Sequence, residues 1–148
     1  MRVVLQRVKY ASVKVDGKLI NEIGIGYMLL VGIRNGEQKQ DVEKIAKKIS
    51  GLRIFEDENH KLNRAIKDVN GEILSISQFT LYADLKKGNR PSFVDAANKE
   101  EAINLYEYFN NLLASYDINV KTGIFGADMK IELLNDGPVT IIIDSDKM

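Results

Sequence analysis

The chain has 148 residues, enough for one domain that buries roughly two-thirds of the surface its unfolded form exposes. It contains no cysteine, which excludes disulfides, thiolate metal ligands and a cysteine nucleophile. Lysine plus arginine and aspartate plus glutamate each number 21, so no global basic field attracts a nucleic-acid duplex. Any polynucleotide partner must therefore be bound locally, over a small footprint.

The first residues, MRVVLQRVKY, carry charges every few positions and lack the long apolar core of a signal peptide. No apolar run approaches the roughly 20 residues of a membrane span. We therefore expect a cytoplasmic protein that makes no membrane contact.

Alternating apolar residues predict that the first quarter of the chain is rich in β-structure. Residues 3–8 and 13–15 are expected to form two short strands separated by a bend, and the second continues through Leu19 and Ile20. Residues 23–33, which are apolar and interrupted by glycines, are expected to form a buried strand flanked by turns.

Helical spacing of apolar residues follows over residues 38–50, and Gly51 is a plausible stop. Residues 52–55 are predicted to form a short strand and residues 57–71 to be mostly loop. Residues 73–79 alternate cleanly, which predicts a strand that ends at a lysine-rich loop, residues 84–91.

The most regular pattern is an apolar stripe that predicts a second helix over about residues 99–116. Three strands are expected after it, at residues 119–121, 129–134 and 139–143. Two helices among many short strands, without a repeating βαβ order, predict an α+β fold with largely antiparallel or mixed sheets. The whole chain, 1–148, is expected to be one domain.

Ser77, Gln78 and Thr80 lie where the strand at residues 73–79 runs into the loop. Polar groups and free backbone N–H groups meet solvent at strand ends, so hydrolytic sites are often built there. On spacing alone, ordinary strand-end hydroxyls are the favoured interpretation. The single histidine, His60, is placed in a solvated loop, so a Ser-His-Asp triad is not indicated.

Two other loops have residue types suited to nucleic acid. The segment from Lys86 to Phe93 is the densest basic stretch and fits either one or two phosphates or a solvated turn. In the segment from Thr122 to Met129, Phe125 could stack on a base or pack into the core, and core packing is favoured by these residues alone. No metal-binding or nucleotide-binding motif is present, so no cofactor is indicated.

The segment NDGPVT places Gly137 and Pro138 directly before the apolar residues 141–143. Proline lacks an N–H group and glycine lacks a side chain, so this step exposes carbonyl oxygens within a predicted strand. These carbonyl oxygens are candidates for contact with a ligand.

Four motifs in this order, with QRV near the start of the chain, closely resemble the D-aminoacyl-tRNA deacylases: SQFTLYAD, KGNRPSF, TGIFGADM and NDGPVT. The resemblance covers residues 1–143 and leaves only a short tail. It implies a barrel-like core of two mixed or antiparallel sheets with two main helices packed on one side. It also implies a homodimer that needs no cofactor and has its active sites at the subunit interface. That enzyme hydrolyses the ester joining a D-amino acid, or glycine mischarged on tRNA(Ala), to the 3′ end of tRNA.

The resemblance also implies roles for individual residues. The pocket is lined by Ser77, Gln78, Phe79 and Thr80, and substrate is bound by Phe125 and Met129. Gly137 and Pro138 form a cis step that reaches into the partner's active site, and Arg7 holds that step in place. Its carbonyl groups would accept hydrogen bonds from the substrate's α-amino group and leave no room for an L side chain. This arrangement predicts breadth across D-amino acids.

For the chemical step, the backbone N–H groups of Phe79 and Thr80 are the expected oxyanion site, and the ribose 2′-hydroxyl is expected to orient or activate water. The alternative makes Thr80 a covalent nucleophile, although no base lies beside it in sequence. Two other classes stay open: a non-catalytic module that binds single-stranded nucleic-acid ends, and a hydrolase of another small ester.

Overall fold

A computed structural model describes all 148 residues of the chain. A six-stranded mixed sheet forms its centre, and two helices and a two-stranded sheet complete the fold. The strands are β1 (Arg2–Val15), β2 (Lys18–Ile23), β3 (Gly26–Gly32), β4 (Arg53–Glu56), β5 (Leu62–Ala65), β6 (Glu72–Ser77), β7 (Asn119–Thr122) and β8 (Lys130–Asp144). The helices are α1 (Lys39–Gly51) and α2 (Lys99–Ser115), and short 3-10 turns cover Ile66–Val69, Phe79–Tyr82 and Ser145–Lys147.

β1 organises the large sheet because it pairs along both of its edges. One edge pairs first with β3 and then with β2, and the other pairs with β8 along nearly its whole length, all antiparallel. β6 and β7 extend the sheet from β3 in parallel. Asn21 Nδ2 of β2 donates to the Thr122 carbonyl oxygen of β7 at 2.6 Å, so the sheet nearly closes into a barrel.

The two faces of the sheet bury separate apolar clusters. The larger cluster lies between the sheet and both helices and includes Leu29 of β3, Ile45 of α1 and Phe109 of α2. The smaller cluster lies on the other face and includes Met28 and Leu74. Because neighbouring strand residues point to opposite faces, β3 contributes to both clusters, and all of its residues except the half-buried Leu30 are buried. The helices therefore share one side of the core, as the resemblance implied.

Both helices form where the apolar spacing predicted them. α1 buries Val42, Ile45, Ala46 and Ile49 on one face. α2 starts at Asn98, whose side-chain oxygen accepts from the Glu101 N–H at 3.0 Å, which stabilises the first turn. Neither helix is long and apolar enough to cross a membrane.

Two strand predictions were wrong, and one strand was missed. Residues 3–8 and 13–15 belong to one continuous strand, β1, because two successive partners, β3 and β2, support its two halves. Leu19 and Ile20 do not continue that strand but lie in β2, after a turn. Residues 129–134 and 139–143 are likewise the two ends of β8. Residues 57–71, expected to be mostly loop, contain β5. Its residues are mostly exposed, so they show no alternation of apolar and polar side chains, and pairing with β4 stabilises the strand.

Gly26 lies where β1, β3 and β6 meet, since it pairs with Val8 and with Glu72. A Cβ atom at Gly26 would lie 1.8 Å from the Glu72 carbonyl oxygen. That oxygen cannot move without disturbing the β3–β6 pairing. We expect Gly26→Ala to lower the free energy of unfolding in urea by about 3 kcal/mol or more.

Gly51→Ala is the matched control, because Gly51 ends α1 and a Cβ atom there has no heavy atom within 4 Å. Helix propensity predicts unchanged stability or a gain of up to about 1 kcal/mol. Similar losses in the two variants would contradict the close approach of β3 and β6.

Candidate active site

A cavity of about 270 Å³ opens between the end of β6, α2 and the segment that precedes β8. Ser77 and Gln78 come from the strand end, and Tyr106 comes from α2. The opposite wall is residues 125–129. Most of the cavity lining is apolar, and a few polar groups lie at the strand end. This composition is typical of ligand sites.

The strand end holds its shape through backbone hydrogen bonds. The Gln78 N–H donates to the Val31 carbonyl oxygen of β3 at 2.7 Å, and the Gln78 carbonyl oxygen accepts from the Leu81 N–H at 3.3 Å. The N–H groups of Phe79 and Thr80 open the 3-10 turn and therefore have no acceptor within it. Two adjacent backbone donors thus lie beside the cavity.

The side chains of this segment are fixed by each other and by a neighbouring loop. Gln78 Nε2 donates to Thr80 Oγ1. Phe79 is 57% exposed, and its ring packs edge-on against Phe93 with centroids 4.9 Å apart. Ser77, Gln78 and Phe79 line the cavity, whereas Thr80 lies next to it through its bond to Gln78.

No free general base lies in the cavity. Its one carboxylate, Asp128, accepts from Lys130 Nζ through both oxygens, at 2.9 and 3.0 Å. His60 is an exposed residue between β4 and β5, as predicted. A hydroxyl nucleophile here would have no neighbouring group to accept its proton.

Tyr106 connects α2 to β6 behind the strand end. Its hydroxyl donates to the Ser75 carbonyl oxygen at 2.8 Å, and its ring lies 5.9 Å from that of Phe125. Burial raises the pKa of the Tyr106 phenol, so the hydroxyl stays protonated and remains a donor. The apolar stripe of α2 predicts only core packing for Tyr106. Its phenol hydroxyl indicates a further contact, because a buried hydroxyl needs a hydrogen-bond partner.

Gly137 and Pro138 lie outside this cavity, in a bulge of β8. Thr140 pairs with Gln6 and Asn135 pairs with Val8, so residues 136–139 lie opposite Arg7 alone. Gly137 and Pro138 are exposed, and the peptide bond between them is cis, as the resemblance implied. We call residues 136–139 the Gly-Pro bulge.

Arg7 fastens the Gly-Pro bulge to the fold. Its side chain is almost fully buried and donates from Nε to the Asp136 carbonyl oxygen at 3.0 Å and from Nη1 to the Ile54 carbonyl oxygen at 2.6 Å. A Cβ atom at Gly137 would lie 3.0 Å from Arg7 Nη2, so the guanidinium packs directly against this glycine. The bulge is therefore tied to β1 and β4 at once.

The residues predicted for the site form two groups. The cavity group has Ser77, Gln78, Phe79, Phe125 and Met129 in its lining, with Thr80 alongside. The bulge group is Arg7, Gly137 and Pro138, none of which lines the cavity of the same chain.

Two solved structures have a fold similar to that of this chain. One is named a c-Myc DNA Unwinding Element Binding Protein. It has a TM-score of 0.90 and 40% identity, over 97% of this chain and 98% of that chain. Another is described as a probable eukaryotic D-amino acid tRNA deacylase, with a TM-score of 0.83 and 17% identity over 96% and 97%, which shows the fold alone. The α+β fold with a barrel-like core is confirmed.

Sequence comparisons then define the family. The model of the D-Tyr-tRNA(Tyr) deacylase family matches residues 4–144. Curated relatives named D-aminoacyl-tRNA deacylase, from Staphylococcus aureus strains bovine RF122 / ET3-1 and JH9, are 58% and 57% identical over 145 residues. Each alignment covers 98% of this chain and 96% of the relative. The chain belongs to the D-aminoacyl-tRNA deacylase family, as the four motifs predicted.

Tyr106→Phe tests the link between α2 and the strand end. The variant keeps the ring but leaves the buried Ser75 carbonyl oxygen without its side-chain donor, so we expect the free energy of unfolding to fall by about 1–2 kcal/mol. Tyr108→Phe is the control on the same helix, because its hydroxyl binds Glu43 at the surface. That change should stay within about 0.5 kcal/mol. Equal losses in urea unfolding would contradict a special role for Tyr106.

Proposed function

We propose that this protein hydrolyses the ester bond between a D-amino acid and the terminal adenosine of tRNA. Its membership of the D-aminoacyl-tRNA deacylase family supports this activity. The observation that carries the proposal is the Gly-Pro bulge, an exposed backbone step held by a buried arginine. Aminoacyl-tRNA is made in the cytoplasm, so we infer that the protein acts there.

The two groups of site residues would become one site in a homodimer, with the bulge of each chain entering the cavity of the other. An apolar row beside the bulge supports such an interface. Val4 pairs with Leu30 of β3 and with Ile142 of β8, and Ile142 is 67% exposed. Val4 and Leu30 are half-buried, so the row is partly exposed. In a two-fold dimer the same patch meets its own copy, so one such row can supply both sides.

The exposed backbone of the bulge would distinguish the D and L enantiomers of the aminoacyl group. Carbonyl oxygens of Gly137 and Pro138 would accept hydrogen bonds from the α-amino group and so fix the position of Cα. One remaining direction at Cα then faces open space and the other faces the bulge, which excludes an L side chain by collision. Collision rejects a wrong substrate more strongly than a missing apolar contact does. Glycine has no side chain to exclude, so glycyl-tRNA(Ala) is also a substrate of this site.

The chemical step needs little from side chains, because the ester is already activated. A water oxygen attacks the ester carbonyl carbon, and the N–H groups of Phe79 and Thr80 stabilise the oxyanion. The bond to the ribose 3′-oxygen then breaks, and that oxygen takes up the proton that the attacking water loses, which releases free D-amino acid and tRNA. The ribose 2′-hydroxyl orients the water, since the cavity has no free base. Phe125 and Met129 contact the terminal adenosine.

The function is tested by comparing D-tyrosyl-tRNA and L-tyrosyl-tRNA as substrates. We expect the D ester to be hydrolysed at least about 100-fold faster than the L ester, because the bulge excludes the L side chain. A pure binding module would accelerate neither reaction. A general esterase would cleave a free D-tyrosine ester as fast as the tRNA ester, which would remove tRNA from the function.

Gly137→Ala tests the bulge. The added Cβ atom would lie 2.9 Å from Val139 Cγ2 and 3.0 Å from Arg7 Nη2, at a φ of +123°. Displacement of the carbonyl groups should lower the rate on D-tyrosyl-tRNA by about 10-fold or more.

The matched control is Gly17→Ala in the β1–β2 turn, where φ is +75° and a Cβ atom has no heavy atom within 4 Å. It places an alanine at a positive φ without a collision and should leave the rate unchanged. Full activity of Gly137→Ala would exclude the bulge from the site.

A substrate whose terminal adenosine lacks the 2′-hydroxyl tests whether that hydroxyl orients the attacking water. We expect single-turnover hydrolysis to slow by about 100-fold or more, because no side chain in the cavity replaces that hydroxyl. Thr80→Ala should retain most activity, since only the Thr80 N–H is used. The opposite pattern, with Thr80→Ala inactive and the 2′-deoxy substrate cleaved normally, would favour Thr80 as the nucleophile.

A further inference from the structure

A loop of three cations is anchored at the rim of the cavity. The Asp84 N–H donates to the Ser92 carbonyl oxygen at 2.8 Å, and the Ser92 N–H donates back to the Asp84 carbonyl oxygen at 3.0 Å. These two bonds close residues 85–91 into a loop, which we call the basic loop. Phe93 follows directly and packs on Phe79, which lines the cavity. The base of the basic loop therefore contacts a cavity-lining residue through Phe93.

The cations of the basic loop are free to bind an anion. Lys86, Lys87 and Arg90 are exposed, and none of them forms an ion pair. Two nearby arginines differ, because Arg2 binds Asp144 at 2.7 Å and Arg34 binds Asp146 at 2.6 Å. The positive charge available beside the cavity is thus concentrated in the basic loop.

Exposed apolar side chains accompany these charges. Phe79, Leu85, Phe93 and Val94 all present large apolar surface to solvent around the base of the loop. Cations that follow a phosphate backbone, combined with aromatic rings on which bases stack, are the usual components of single-strand binding surfaces. A purely apolar partner would leave the three charges unpaired, so the composition favours a single-stranded polyanion.

We propose that the basic loop and the Phe79–Phe93 pair bind the single-stranded nucleotides that precede the terminal adenosine of tRNA. This inference rests on the proposed function, because the single-stranded nucleotides pass beside the basic loop only if the cavity holds the terminal ester. The phosphates lie against Lys86, Lys87 and Arg90, and a base stacks on the exposed aromatic surface. The chain has zero net charge, so this loop is the local footprint that such a substrate needs.

The test uses the triple variant Lys86→Ala, Lys87→Ala and Arg90→Ala with two substrates. D-Tyrosyl-tRNA carries the preceding phosphates, whereas D-tyrosyl-adenosine carries none. We expect kcat/KM for the tRNA ester at low salt to fall about 10- to 100-fold. The slope of log kcat/KM against log salt should become shallower by about two. Hydrolysis of D-tyrosyl-adenosine should stay at the wild-type rate.

The control is Lys18→Ala, Lys47→Ala and Lys48→Ala, which removes the same charge from exposed positions that do not line the cavity. Equal rates and salt slopes for the two triple variants on D-tyrosyl-tRNA would overturn the inference. An equal loss on D-tyrosyl-adenosine would also overturn it, because the loop would then belong to the cavity itself. Wild-type protein inactive on both esters would reject the proposed function, and this inference with it.

Discussion

The contact between the Arg7 guanidinium and the Gly-Pro bulge is the constraint on which the proposed site depends. Arg7 is 4% exposed and lies opposite four residues of β8. A charge buried this deeply needs hydrogen-bond partners, and carbonyl oxygens from β8 and from β4 provide them. The position of Gly137 and Pro138 therefore depends on three strands at once. A backbone held in this way can serve as a rigid wall, whereas a free loop would yield to an L side chain.

The cavity and the bulge supply different parts of the proposed chemistry. The cavity offers backbone N–H groups, an amide and hydroxyls, and its one carboxylate is occupied by Lys130. Such a site suits an ester, which needs a stabilised oxyanion more than a strong base. The bulge would add the stereochemical check, but it does not line the cavity of its own chain. In the homodimer proposed above, the activity would need two copies of the chain, and the basic loop beside the cavity would direct the nucleic acid.

Much of the fold could be predicted from local patterns, and most of the errors concern strand partners. α1 and α2 follow from their apolar stripes, which are visible in sequence. β1 and β8 appeared broken because continuity depends on neighbours distant in the chain, and β5 was missed because its residues are exposed. Motifs predicted site roles for Ser77, Gln78 and Gly137, yet spacing could not show that the bulge lies apart from the cavity. Nor could spacing show Tyr106 bound to Ser75, because that contact joins α2 to β6.

Mixed dimers give the most direct test that one chain's bulge completes the other chain's cavity. One chain would carry Gly137→Ala, and its partner would carry Ala127→Trp, which fills the cavity. Each homodimer should be nearly inactive on D-tyrosyl-tRNA. A random mixture should recover about a quarter of wild-type activity, because half of the dimers contain one site built from two intact parts. No recovery in a mixture shown to contain the heterodimer would contradict the shared site.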